Sequence, residues 1–219
     1  MSDDPGGEVT DRDDHTRSRY AGWDVLAKWP TPDWDEQTRE VVRQRLADVP
    51  PLRFLTAAEA RTLASAVSRI IPQSDRAAGS EVPIVPWIDV KLADDLRDGY
   101  RYEGVPPLRD AWRLGLSGLE QAAHALFRGA GFADLAPGEQ DEVLRHVERG
   151  DPPGDAWRRI PATRFFRDLL CLTVVKTYYA HPVAWNEIGY SGPAAVRGHV
   201  RNWMGGVDPW DAPDAEARE

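Results

Sequence analysis

The sequence predicts an all-α fold: a single compact helical domain with a central apolar helix near its C-terminus and long irregular segments between helices. Three observations predict it. Apolar residues recur at helical spacing in segment after segment; no stretch alternates apolar and polar residues as a half-buried strand does; and no internal period marks a repeat array. With 219 residues, 42% apolar and 29% charged, the chain has enough material for one good core or at most two small domains.

The expected organisation is an acidic tail (1–19), an N-terminal helical extension (20–53), a main helical domain (54–207) and a second acidic tail (208–219). In the extension, Pro32 and Asp33 start a helix, and Asp33, Asp35 and Glu36 complement the positive end of its dipole. Trp34, Val41, Val42 and Leu46 give it helical spacing until Pro50-Pro51 stops it. Thr56 opens a second helix with Glu59 three residues on, the signature of a reciprocal capping box. Leu63, Val67 and Ile70 carry its stripe to Pro72. After the loop "IPQSDRAAGSEVPIVP", residues 86–98 read as a short helix on Trp87, Ile88, Leu92 and Leu96. "GYRYEGVPP" breaks the chain again.

From Pro107 to Phe127, Leu108, Trp112, Leu116, Leu119, Ala123 and Leu126 line one face of a long amphipathic helix. A further helix starts at Pro137, with Glu139 in its first turn and Val143, Leu144 and Val147 facing inward. Over 162–179 the sequence is apolar nearly all round: Phe165, Phe166, Leu169, Leu170, Leu172, Val174, Val175 and Tyr178. A helix with no polar face is expected at the centre of the core.

The formal charge of −9 is concentrated at the ends. Residues 1–19 hold six acidic and three basic side chains, and 208–219 hold five and one, so the body between them is close to neutral. Solvated, disordered tails are the expectation for both. No Lys/Arg stripe survives, which argues against nucleic-acid binding; the lysines are Lys28, Lys91 and Lys176. No window approaches 18 uninterrupted apolar residues, so no membrane span is expected.

Enzyme signatures are thin. No Gly-x-Gly-x-x-Gly follows a strand, and no His-Glu-x-x-His occurs. "GLSGL" at 115–119 has the wrong spacing for a nucleophile elbow and falls inside a helical pattern. His124 and His146 stand alone on their helices, without a second ligand one turn away. Asp94-Asp95 and Asp141-Glu142 are adjacent in sequence and diverge on a helix, whereas acid–base work needs convergent groups. Cys171 is the single cysteine and sits in the apolar run "FFRDLLCLTVV", as a small buried hydrophobe does. No catalytic, cofactor-binding or metal-binding residue is therefore assigned.

Nine tryptophans are more informative. Trp23, Trp29, Trp185, Trp203 and Trp210 lie in segments that read as irregular, where a ring is buried only if something covers it. Two readings stand: the tail is tethered within the chain, or a partner protein covers the rings. The loop "HPVAWNEIGYSGPA" (181–194) poses the same question. His181, Asn186, Glu187 and Tyr190 would be the reactive groups of an independent enzyme. Equally, Pro182, Gly189 and Gly192 shape a loop, Asn186 and Glu187 bind its own backbone, and His181 caps the preceding helix against its dipole. Trp185 and Tyr190 are then exposed anchors, and the loop is a docking surface. The expected partner-binding set is Trp23, Trp29, Trp185, Asn186, Glu187, Tyr190 and Trp203.

Four blocks, "FLTAAEARTLASAVSRIIPQSD" (54–75), "VPIVPWIDVKL" (82–92), "GLSGLEQAAHALFRGAGFADLAPGEQDEVLRHVE" (115–148) and "TRFFRDLLCLTVVKTYYAHPVAWNEIGYSGPA" (163–194), together resemble the small, third subunit of the gluconate 2-dehydrogenase family. Their order and spacing, ending in "PVAWNEIGYSG", carry the resemblance. The resemblance implies a helical, non-catalytic accessory subunit that binds and stabilises or matures a large flavoprotein of the glucose–methanol–choline (GMC) type. FAD and the oxidation of sugars, sugar acids or related alcohols then belong to that partner, and a haem c subunit joins some such complexes. A general helical scaffold or chaperone is the further alternative. Family members commonly carry a twin-arginine export signal. Here the N-terminus is acidic, Arg17 and Arg19 are separated by Ser18, and no apolar stretch follows. A cytoplasmic location is expected, or a periplasmic or extracellular one if the chain is exported with its partner.

Overall fold

The computed structural model describes residues 20, 22–77, 79–97, 99–100, 102–194, 196, 198, 208 and 210–212. The fold is all-α, with no strand among the described residues. The helices are α1 (Glu36–Ala47), α2 (Ala57–Ile70), α3 (Ile84–Ala93), α4 (Leu108–Leu126), α5 (Pro137–Arg149), α6 (Ala162–Arg164), α7 (Leu172–Tyr179) and α8 (Pro182–Trp185). A π-helical stretch, Phe165–Cys171, runs directly from α6 into α7. No helix among the described residues is long and apolar enough to cross a membrane.

The chain divides into two units, 44–181 and a second made of 1–43 with 182–219. The loop from residue 182 onward thus groups with the N-terminal segment, where the sequence suggested a boundary near residue 53. The physical reason is that the two chain ends bury each other's aromatic rings, as described below.

In the 44–181 unit, local signals set the helix ends. Thr56 Oγ1 accepts the Glu59 N–H (3.2 Å) while Glu59 accepts the Thr56 N–H (2.8 Å), which closes the expected capping box at the start of α2. Glu139 accepts the Ala136 N–H at the start of α5, and Gly150 ends that helix at φ +85°. The left-handed conformation there is one that glycine adopts without the strain of a Cβ. The third helix stops at Ala93, short of the expected 98: Asp95 turns to φ 50° and Leu96 is left exposed.

Two glycines explain "GLSGL". A Cβ on Gly115 would lie 2.0 Å from the Phe165 ring, and one on Gly118 would lie 2.5 Å from the Trp157 ring. The pair forms a notch one turn deep on α4 into which two rings insert. Phe165 meets Trp112 edge-on at 5.9 Å and Trp157 at the same distance. Each helical glycine costs about 1 kcal/mol relative to alanine; the rings it admits bury enough apolar surface to offset that.

The 162–179 segment is not apolar on all sides in effect. Phe165, Leu169, Leu170, Val174 and Tyr178 are buried, but Val175 and Tyr179 are exposed along with Arg164, Arg167 and Lys176. Burial on all sides would need elements packed on every face. Here one side meets α3, α4 and α5 and the other remains uncovered by them.

One charged residue anchors the start of this unit. Asp89 of α3 is fully buried, and its carboxylate accepts the backbone N–H groups of Arg53 (2.6 Å), Phe54 (3.0 Å) and Leu55 (2.7 Å). Three donors on one carboxylate compensate its lost hydration and tie the segment ahead of α2 to α3.

Candidate functional site

The second unit holds the loop that the sequence singled out. Its core is Val25, Trp34, Val42 and Trp185, with Leu26, Trp29 and Tyr190 packed against it. Trp185 is only 4% exposed. Its ring meets Trp34 edge-on at 6.5 Å and Tyr190 edge-on at 5.5 Å, and Trp34 in turn meets Trp29 at 6.0 Å. Orthogonal rings at these separations place the positive edge of one on the negative face of the next.

The polar groups of the loop are engaged in the same unit. Asn186 Oδ1 accepts the Val25 N–H at 2.8 Å, and the Tyr190 carbonyl accepts the Trp23 indole N–H at 3.4 Å. The Gly189 carbonyl accepts the Ala212 N–H at 3.0 Å. Asp211 accepts the N–H groups of Ser191 and Asp208, each at 3.2 Å. Lys28 donates to the Trp210 carbonyl at 2.7 Å and lies over the Trp23 ring. Backbone that has no helix partner must find other acceptors and donors when covered, and these side chains supply them.

Gly189 and Gly192 are required twice over. They sit at φ +65° and +82°, and a Cβ on either would come within 2.7 Å of a ring, Tyr20 for Gly189 and Trp34 for Gly192. Pro182 is buried at the first position of α8, where its missing N–H costs nothing.

The expectation of exposed anchors is therefore corrected. Trp185 closes α8 and is buried, Asn186 and Tyr190 are half-buried, and Trp23 and Trp29 are half-buried against the same cluster. Glu187 and Ile188 form the exposed tip of the loop. Trp203 lies outside the described residues. Of the two readings of the tryptophans, tethering within the chain accounts for Trp23, Trp29 and Trp185. Sequence reasoning missed Trp34 as the ring the others meet, having placed it on a helix stripe; it precedes α1. It also missed Asp211, whose only signal was an acidic residue beside Trp210.

His181 belongs to the 44–181 unit. It is 7% exposed, and its Nε2–H donates to the Arg45 carbonyl at 2.9 Å. Burial pushes its pKa below the ordinary histidine value, and the positive charges of Arg45 and Arg76 push the same way. Its ring is a neutral donor, not the dipole-stabilised cation expected from its place after α7. Cys171 has its thiol pushed up to about 11 by burial, with the Glu148 carboxylate adding to the effect; a thiol so held is a poor nucleophile at neutral pH. Asp94 and Asp141 are drawn into ion pairs with Arg53 (2.9 Å) and Arg69 (2.7 Å). Among the described residues no group of three or more His, Cys, Asp or Glu side chains is arranged to hold a metal ion.

No curated protein and no solved structure is detectably similar to the chain. The family model for gluconate 2-dehydrogenase subunit 3 matches residues 57–192, which takes in α2 to α8 and ends at Gly192 in the glycine-shaped loop. The chain belongs to the gluconate 2-dehydrogenase subunit 3 family.

Proposed function

We propose that this chain is a non-catalytic accessory subunit of a flavin-dependent dehydrogenase, and that it binds and stabilises or matures the large subunit. Family membership over 57–192 carries the reading. The side-chain chemistry supports it: the Asn186 amide and the His181 ring are spent on holding backbone, and burial pushes the Cys171 thiol up to about 11. The large subunit is then a GMC-type flavoprotein carrying FAD and the site of sugar or alcohol oxidation, and a haem c subunit completes the electron path where one is present.

In this reading, Glu187 and Tyr190 of the loop, with the half-exposed rings of Trp23 and Trp29 and with Trp203, meet the partner, while Trp185 and Asn186 set the loop's shape beneath them. The test is co-expression with a GMC-type flavoprotein encoded beside this chain. A stable complex is expected, with flavin absorbance confined to the large subunit and dehydrogenase activity lost when this chain is omitted. A flavoprotein equally soluble and active alone, or substrate turnover by this chain alone, would overturn the proposal.

A further inference from the structure

Between α1 and α2 the chain runs over the surface of the 44–181 unit as a strap, Val49-Pro50-Pro51-Leu52. Val49 is 63% exposed and Leu52 42%, two large apolar side chains held in water. Proline fixes φ at 50 and 51 and drives the residue before it into extended backbone, so 49–51 take up polyproline II geometry. No backbone group of 49–52 bonds another described residue, which leaves the carbonyls open as acceptors. The strap is nevertheless pinned. Helix α1 ends just before it at Ala47, and the buried Asp89 carboxylate holds the N–H groups of Arg53, Phe54 and Leu55 just after it. A segment already extended and tied at both ends loses little conformational entropy on binding.

The same unit carries a groove suited to such a segment. It encloses about 300 Å³, and its walls include Tyr100, Tyr102, Val105, Pro106, Pro107 and Leu108. The Tyr100 and Tyr102 rings stand at right angles, 5.4 Å between centroids, and Tyr100 is 60% exposed. Aromatic-lined grooves of this kind are what polyproline II segments dock into. Arg97 and Asp168, also on the walls, are already paired with Asp95 and Arg164, so these charges need no ionic ligand. The volume is at the small end for ligand sites, which favours a few apolar side chains over a large cofactor.

Strap and groove are neighbours. Arg53, at the end of the strap, pairs with Asp94 at 2.9 Å, close before Arg97 in the chain. Phe54 lies under the Arg109 guanidinium, 5.1 Å from the ring centroid, and Arg109 follows Leu108 of the groove wall. A surface that carries both halves of a complementary pair side by side meets a copy of itself about a two-fold axis, each strap in the other's groove.

We infer that this chain forms a two-fold homodimer in which the 49–52 strap of each copy enters the Tyr100–Tyr102 groove of the other. The dimer stands independently of the accessory-subunit reading, and its failure leaves that reading untouched.

Sedimentation equilibrium of the full chain tests it, and the mass is expected to rise from monomer to dimer with concentration. Leu52→Glu sets a charge against an apolar wall, and Tyr100→Ser removes one ring. Each is expected to raise the dimer dissociation constant by about tenfold or more. Both side chains are exposed in the single chain, so both variants should keep the parent's far-UV signal and urea midpoint. The exchange has its own signature. An equal mixture of the two variants should associate more tightly than either alone, because a mixed pair keeps one intact strap in one intact groove. A monomer at every concentration would overturn the proposal, as would a dimer that neither variant weakens or a mixture no tighter than its components. So would a monomeric chain whose complex with the large subunit is loosened by Leu52→Glu; the strap would then belong to that partner.

Discussion

The two units of this protein are held together by different means. Residues 44–181 are assembled from helix faces, with rings inserted into a glycine notch on α4, and side chains such as Asp89 are needed for backbone only in the segments between helices. Among its described residues, the unit of 1–43 with 182–219 has little regular structure beyond most of α1, the four-residue α8 and the short 3-10 turns Val25–Lys28 and Asn186–Ile188. There an edge-to-face series of Trp29, Trp34, Trp185 and Tyr190 supplies the burial, and Asn186 and Asp211 satisfy the backbone. The difference teaches how to read polar residues in an irregular loop. An amide and a carboxylate beside prolines and glycines suggest chemistry, yet covered backbone needs just such groups as hydrogen-bond partners.

The sharpest way to separate the units is to remove one ring from each. Phe165→Ala empties the α4 notch and is expected to cost about 3–5 kcal/mol, seen as a lower urea midpoint with loss of far-UV helical signal. Trp34→Ala should cost a similar amount, about 3–5 kcal/mol, but its effect is expected to be regional. Amide exchange should quicken in 24–43 and 185–192 while the amides of α2 and α4 keep their protection. Uniform loss of protection in both variants would show that the two units unfold as one.

A smaller effect is expected at the loop's hinge. Gly192→Ala places a Cβ 2.7 Å from the Trp34 ring at φ +82°, and overpacking with backbone strain costs about 1–3 kcal/mol. An unchanged urea midpoint would mean that the loop approaches Trp34 less closely than described.

The smallest expected effect is pH-dependent and belongs to the helical unit. His181 has a folded-state pKa below its unfolded value of about 6.5. Its stabilising contribution is therefore complete above that unfolded value and is lost as pH falls through the lower folded one. Stability measured at pH 7.5 and at progressively lower pH should decline less in His181→Gln than in the parent. Parallel declines would remove His181 from the acid response.

The sequence made local devices legible. Thr56 with Glu59, Pro137 with Glu139 and the apolar spacing of α4 placed three helices, because each signal lies within one or two turns of the feature it determines. Asp89 was not legible, since its three donors lie more than thirty residues away. Nor was the π-helical stretch, which shares its apolar pattern with an ordinary helix. In the loop, Gly189 and Gly192 were recognised as turn formers. That rings of Tyr20 and Trp34 press on them is a tertiary fact. Trp185 is buried for a reason equally distant in sequence: irregular chain usually lies at the surface, and much of its cover comes from Val25 and Trp34 at the other end of the chain.

The loop from 182 onward is seated in the chain's own N-terminal segment. The amide of Val25 tests it most directly, because its acceptor is Asn186 Oδ1 at 2.8 Å. Hydrogen exchange of that amide should be strongly slowed in the isolated protein. Asn186→Ala should abolish the protection at Val25 while leaving that in α4 intact. Exchange at the rate of an unstructured peptide in the parent protein would contradict the claim and return the loop to the surface as a free docking site.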